Sequence, residues 1–202
     1  VDVLEPVAGR IGAVNTLRFG SGENPVDRRV FGSNTDWVGA NRALEEKMEL
    51  KGSRVLLVGA GGAARAIGFG LLEAGAEVLL TNRTREKGMV LARQLGCTFV
   101  EPEALAGIRA DVLVNATSVG MIPAVEQTPV PAAVLGNFAV VMDIVYAPLA
   151  TRLLREAREA GCQVIDGLAM LLYQGAAQFE LWTGREAPLA VMRAVLAERF
   201  GG

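Results

Sequence analysis

"RVLLVGAGGAARAIGFGLLEAGAEVLLTNR", residues 54–83, decides the fold. An aliphatic run, "RVLLV", reads as a strand buried on both faces. A glycine turn follows, then a helical stretch closed by Gly75, then a second aliphatic strand, "EVLLT". Gly59, Gly61 and Ala64 stand in a G-x-G-x-x-A pattern between strand and helix, which is the setting a dinucleotide-binding turn needs. Gly59 serves the tight turn. Gly61 lets a pyrophosphate approach the backbone, and Ala64 lets helix pack on strand. The free N–H groups and positive dipole end at the helix start favour phosphate. The alternative is a tight turn that binds nothing. The backbone from Gly59 through Ala60, Gly61 and Gly62 to Ala63 is the expected cofactor cradle.

The second strand runs into "TNRTREK". An NAD site usually carries Asp or Glu at this strand end to bind the ribose 2′-hydroxyl. Asn82 holds that place here and Arg83 follows, so no carboxylate repels a 2′-phosphate and a guanidinium can pair with it. Lys87 lies one helical turn further on, and Thr84 offers a hydroxyl and a helix cap. The alternative reading is ordinary surface charge. NADP is the expected cofactor, rather than NAD.

Outward from this unit the alternation continues. "TFV", "DVLVNAT", "AVVMDIV" and "QVID" read as further strands, with helices at "REKGMVLARQLG" and "TRLLREAREAG" and a weak one near 102–106. Two helices, near 167–183 and 188–199, close the chain. Strands alternating with helices imply a parallel sheet with right-handed crossovers. The expected fold is α/β, a Rossmann-like doubly wound sheet of about six strands in the order 3-2-1-4-5-6. Before it, "GAVNTLRF", the turn "GSGENPVD" and "RRVFG" read as a hairpin edge. Residues 1–35 are expected to be a remnant of a second, substrate-binding α/β domain. Residues 36–184 form the cofactor domain, and the helix in 185–202 is expected to pack back on the substrate domain.

Of 202 residues, 51% are hydrophobic and the formal charge is −2, with no basic block, which argues against nucleic acid. No apolar run reaches the ~18 residues of a membrane helix. Cys97 and Cys162 are isolated and read as buried small hydrophobes. Without a CxxC pair or any histidine, no metal site is expected, and a cytoplasmic setting fits.

The absence of histidine throws weight on "FGSNTDWVGAN", residues 31–41. Asp36 heads a helical pattern carrying Trp37, Ala40, Leu44 and Met48 on one side. Asn34, Thr35 or Asp36 can cap that helix, and the dipole is expected to keep Asp36 ionised. Cap and catalyst are both open readings of this acid.

Read in order, "IGAVNT", "GSNTDWVG", "VGAGGAARA", "NRT", "NATSVGM", "DIVYAP" with "TRLL", and "DGLAMLLYQGAAQFELWTG" resemble the shikimate dehydrogenase family over residues 6–199. The resemblance implies NADPH-dependent reduction of 3-dehydroshikimate to shikimate. It implies that Asp36 is the carboxylate of a catalytic pair, and that Asn15, Tyr146 and Gln174 contact substrate. It places Thr117 and Ser118 against the cofactor, with Ile144 and Gly167 near the nicotinamide. The alternative for Thr117 and Ser118 is a plain segment start. For Tyr146 and Gln174 it is a satisfied polar group at a domain edge.

In that family a lysine paired with the aspartate, and a Ser-x-Ser motif holding the substrate carboxylate, lie upstream of "GAVNT". None of Lys47, Lys51 and Lys87 is well placed to replace that lysine. The expectation is an N-terminally truncated fragment, inactive alone, from a monomer or homodimer. The competing expectations are an NAD-dependent quinate/shikimate dehydrogenase and a non-catalytic NADP-binding module.

Overall fold

The computed structural model describes residues 1–20 and 28–200. A six-stranded, wholly parallel sheet is built from β4 (Arg54–Val58), β5 (Glu77–Thr81), β6 (Thr98–Phe99), β7 (Val112–Asn115), β8 (Val140–Asp143) and β9 (Gln163–Ile165). Its order is β6-β5-β4-β7-β8-β9, the expected doubly wound arrangement. The register pairs Val58 with Thr81 and with Asn115, and Asn115 with Asp143. The carboxyl ends of four strands therefore lie in one row. The crevice outside that row is where ligands sit in open α/β sheets.

The aliphatic runs are buried on both faces for a visible reason. Leu57 and Val114 point into a cluster with Ala40, Leu44, Ile67 and Leu71, on the side of α2 (Asp36–Glu45) and α3 (Gly62–Glu73). Leu56 and Leu113 point the other way, to Leu135, Leu153 and Leu154, on the side of α5 (Arg152–Glu159). Truncating any one of these leucines to Ala should cost about 2–5 kcal/mol. Small residues set the layer spacing. A Cβ on Gly68 of α3 would lie 2.6 Å from Leu95 Cδ1, so that glycine lets α3 approach α4 (Arg85–Leu95).

A second sheet joins β1 (Val3–Leu4), β2 (Thr16–Phe19) and β3 (Val30–Ser33) in the order β1-β3-β2, with α1 (Pro6–Ile11) between the first two strands. β2 and β3 are antiparallel, as a hairpin edge requires, and β1 joins β3 in parallel. The intervening turn expected at 20–27 lies outside the described residues beyond Gly20. This sheet leaves Leu4, Leu17 and Phe19 exposed, Phe19 at 70%.

α2 links the two sheets and crosses α6 (Gly167–Thr183). The weak helix near 102–106 is a 3-10 turn over Pro102–Gly107. α7 (Leu189–Phe200) lies on α6, and its Arg193 bonds both Glu46, just past the end of α2, and Tyr173. No helix of the described residues is long and apolar enough to cross a membrane.

Candidate active site

The glycine turn has the geometry that the sequence demands of it. Gly59 sits at φ 125°, where a side chain is strained, and a Cβ there would meet Ala116 O and Thr117 Cγ2, each at 2.9 Å. The turn thus rests directly on the exit of β7. Gly61 is the N-cap of α3, and a Cβ on Gly61 or Gly62 would meet nothing within 4 Å. The helix start faces open space, with no side chain capping it, so its N–H groups are free to bind an anion.

That space belongs to a cavity of about 960 Å³. Ala60, Gly61, Asn82, Arg83, Thr84, Lys87, Thr117 and Ser118 all line it, so most of the expected cofactor residues come together. Gly59, Gly62 and Ala63 complete the turn without forming its wall, and Ile144 and Gly167 lie off it. Gly167 instead opens α6 tight against the exit of β8, where a Cβ would meet Ile144 O at 2.5 Å and Val145 O at 2.6 Å.

The strand-end motif divides its labour. Asn82 turns its amide to Thr84 O at 2.7 Å, bracing the loop. Thr84 occupies the N-cap of α4, yet its hydroxyl makes no capping bond and is left for a ligand. Arg83 and Lys87 are exposed and enter none of the ion pairs among the described residues. Two unpaired cations, a hydroxyl and an open helix start suit a dinucleotide with an extra phosphate. Bound there, the pyrophosphate would lie at Gly61 and the 2′-phosphate at Arg83, Thr84 and Lys87.

Residues with no cofactor role assigned from the sequence complete the wall. Glu126, Gln127, Thr128 and Pro129 enter from the segment after β7, and Arg152 from the start of α5. Arg152 donates to Glu126 O at 2.8 Å and pairs with Glu156 at 2.6 Å. The long segment carries no periodic pattern. The only available signal was "TRLL", which the family resemblance included.

The second part of the site surrounds Asp36. Asn15 donates from Nδ2 to Asp36 Oδ1 at 2.7 Å and to Thr35 Oγ1 at 3.2 Å, while its Oδ1 accepts from Thr35 N at 2.9 Å. Thr35 Oγ1 approaches Gln174 Oε1 at 3.5 Å, and Gln178, one turn on along α6, donates to Thr16 Oγ1 at 3.0 Å. Asn15, from the loop before β2, is therefore gathered with Asp36 of α2 and Gln174 of α6. Thr16, Thr35 and Gln178 belong to the same network, and the i, i+4 spacing of the two glutamines was its one sequence trace.

Of the three residues open as caps, Asn34 makes the side-chain bond at the helix start. Thr35 is the N-cap but makes no side-chain cap bond. Asn34 accepts from Asp36 N at 3.0 Å, a local turn of the Asx kind that leaves the Asp36 carboxylate free of capping. Burial pushes the Asp36 carboxyl above its ordinary 3.8, and the Asn15 amide pulls it partly back. Desolvation thus outweighs the Asn15 hydrogen bond in shifting this carboxyl. Oδ2 makes no hydrogen bond among the described residues. Tyr146 stands 44% exposed, its ring edge-on to Phe200 at 5.7 Å.

Fold and site together define a dinucleotide-dependent dehydrogenase. Residues 41–144 match the shikimate / quinate 5-dehydrogenase family, and residues 167–197 match the shikimate 5'-dehydrogenase C-terminal domain. The shikimate dehydrogenase (NADP(+)) of Moorella thermoacetica is 48% identical over 213 residues, covering all of this chain and 70% of that protein. The shikimate 5-dehydrogenase of Thermus thermophilus, solved with NADP(H) and shikimate, superposes with a TM-score of 0.85 at 42% identity, over 98% of this chain and 72% of that one. The quinate dehydrogenase of Corynebacterium glutamicum, solved with NAD, also gives 0.85, at 30% identity over 98% and 72%. The chain belongs to the shikimate dehydrogenase family.

Proposed function

We propose that this chain serves NADP-linked interconversion of 3-dehydroshikimate and shikimate, with the cofactor in the 960 Å³ cavity and the substrate beside Asp36. The carrying observation is the pairing of two features. An open Gly61 turn shares one cavity with Arg83, Thr84 and Lys87, and an Asn15–Asp36–Gln174 network stands ready as a polar seat. NADPH, when bound, supplies the hydride.

The chain's own residues do the rest. The α3 start and Arg83 hold the phosphates. Asn15 and Gln174 present amide groups to substrate hydroxyls. Asp36 offers Oδ2, the oxygen that Asn15 leaves free, for proton exchange with the lysine partner that the family supplies. Burial raises the pKa of this carboxyl, which eases its uptake of a proton. Tyr146, just past the exit of β8, is the further substrate contact that the family resemblance implies. We place the protein in the cytoplasm, consistent with the unpaired Cys97 and Cys162.

NAD-linked quinate oxidation is the competing chemistry. Asn82 and Arg83 disfavour it, because no carboxylate stands ready for the 2′-hydroxyl. The test is turnover of the full-length protein with shikimate or quinate, each with NADP or NAD. Shikimate with NADP should give the highest kcat/KM. A higher value for quinate with NAD would overturn the reading.

A further inference from the structure

One buried acid has no part in the proposed chemistry. Asp143 ends β8 and is fully buried. Its Oδ1 accepts from Asn115 Nδ2 at 2.9 Å and from Val145 N at 3.1 Å, and its Oδ2 accepts from Thr151 Oγ1 at 2.8 Å. Asn115, equally buried, ends the neighbouring strand in register with it. Asn115 Oδ1 accepts from Thr117 N at 3.1 Å and Thr117 Oγ1 at 2.7 Å, while Thr117 Oγ1 accepts from Val119 N at 3.1 Å. Thr151 caps α5, taking a bond from Leu154 N, and precedes Arg152 of the cavity wall.

We infer that Asp143 is a positioning residue, which through Asn115, Val145 and Thr151 holds the Thr117–Ser118 cofactor wall, the Tyr146 segment and the start of α5 in one register. Its three bonds tie the end of β7, through Asn115, to both ends of the connection from β8 to α5, through Val145 and Thr151. Burying an acid is expensive, and an apolar side chain of similar volume would often serve stability as well. What an apolar residue could not do is accept all three donors at once. Asp143 itself lines no part of the cavity, so it acts through others.

This inference rests on the cofactor reading above, and the test separates the two. NADPH affinity and melting temperature are measured for the wild-type chain, Asn115→Asp, Asp143→Asn and the double exchange. Asn115→Asp sets two carboxylates face to face and should weaken NADPH binding tenfold or more. Asp143→Asn keeps an acceptor for Asn115 and Val145, and should stay within about threefold of wild type. The double exchange restores an acid–amide pair and should recover to within about threefold. A double exchange no tighter than Asn115→Asp, or unchanged affinity in a folded Asn115→Asp chain, overturns the inference. If Asn115→Asp does not fold, Asp143→Leu replaces it. A tenfold loss in the folded chain supports the role and unchanged affinity overturns it. A wild-type chain that binds no NADPH defeats the cofactor reading instead.

Discussion

Asn15, just before β2, and Asp36, at the start of α2 after β3, meet at 2.7 Å, Nδ2 to Oδ1. One amide therefore fixes the orientation of the carboxylate at the proposed substrate seat and leaves its second oxygen without a partner among the described residues. Replacing Asp36 by Asn keeps the shape and removes the proton exchange. In the full-length protein, turnover should fall about 10²–10⁴-fold, while NADP affinity stays within about twofold. Unchanged turnover would reduce "SNTD" to a helix start.

The pH dependence of that turnover has a definite sign. Asp36 titrates above 3.8 because it is buried. Steps that need the carboxylate ionised should slow as pH falls through that raised value. Asp36→Asn should lose this acid limb. A variant with the wild-type acid limb would assign the limb to another group.

Gly39 lets α2 and α6 cross closely enough for Gln174 to reach Thr35. A Cβ at Gly39 would meet Gln174 Cβ and Met170 O at 2.8 Å and Gln174 N at 2.9 Å. Two of these are backbone atoms and cannot swing aside. Gly39→Ala should therefore cost about 1–3 kcal/mol in chemical denaturation. It should also raise the KM for shikimate more than that for NADP. A neutral Gly39→Ala would show that the crossing has slack.

Asp143 gives stability a pH signature. Burial raises its pKa to about 6, against the lowering effect of its bonds to Val145, Thr151 and Asn115. Between the unfolded value near 3.8 and about 6, the folded chain binds more proton than the unfolded chain. Its contribution is thus most favourable below pH 4 and falls as pH rises through 6, by at most about 3 kcal/mol. The difference in unfolding free energy between wild type and Asp143→Asn should shift against wild type over that window. A difference that is flat from pH 4 to 8 contradicts this.

Much of the fold was legible because its signals are local. Continuous aliphatic runs, the Gly59 turn and Gly75 at the first helix end carry the parallel sheet without any tertiary knowledge. The site was legible where a motif names its own neighbours, as "TNRT" does for Arg83 and Thr84. Glu126 to Pro129 were not, because they lie in a segment without periodicity, and Arg152 was read only as the first turn of a helix. Gln178 was not, because only the α2–α6 crossing at Gly39 sets it beside Thr16. The choice of Asn34 among the three possible caps stayed open in the sequence, since three adjacent polar residues offer the same chemistry and only backbone geometry chooses.

Cofactor choice tests the central claim most directly. Arg83, Thr84 and Lys87 line the same cavity as Gly61, with no acid at the Asn82 position. The decisive measurement is the pair of dissociation constants of this chain for NADPH and NADH at one ionic strength. NADPH should bind at least tenfold tighter, with the preference collapsing in Arg83→Asp. Equal affinities, or tighter NADH, would contradict the account.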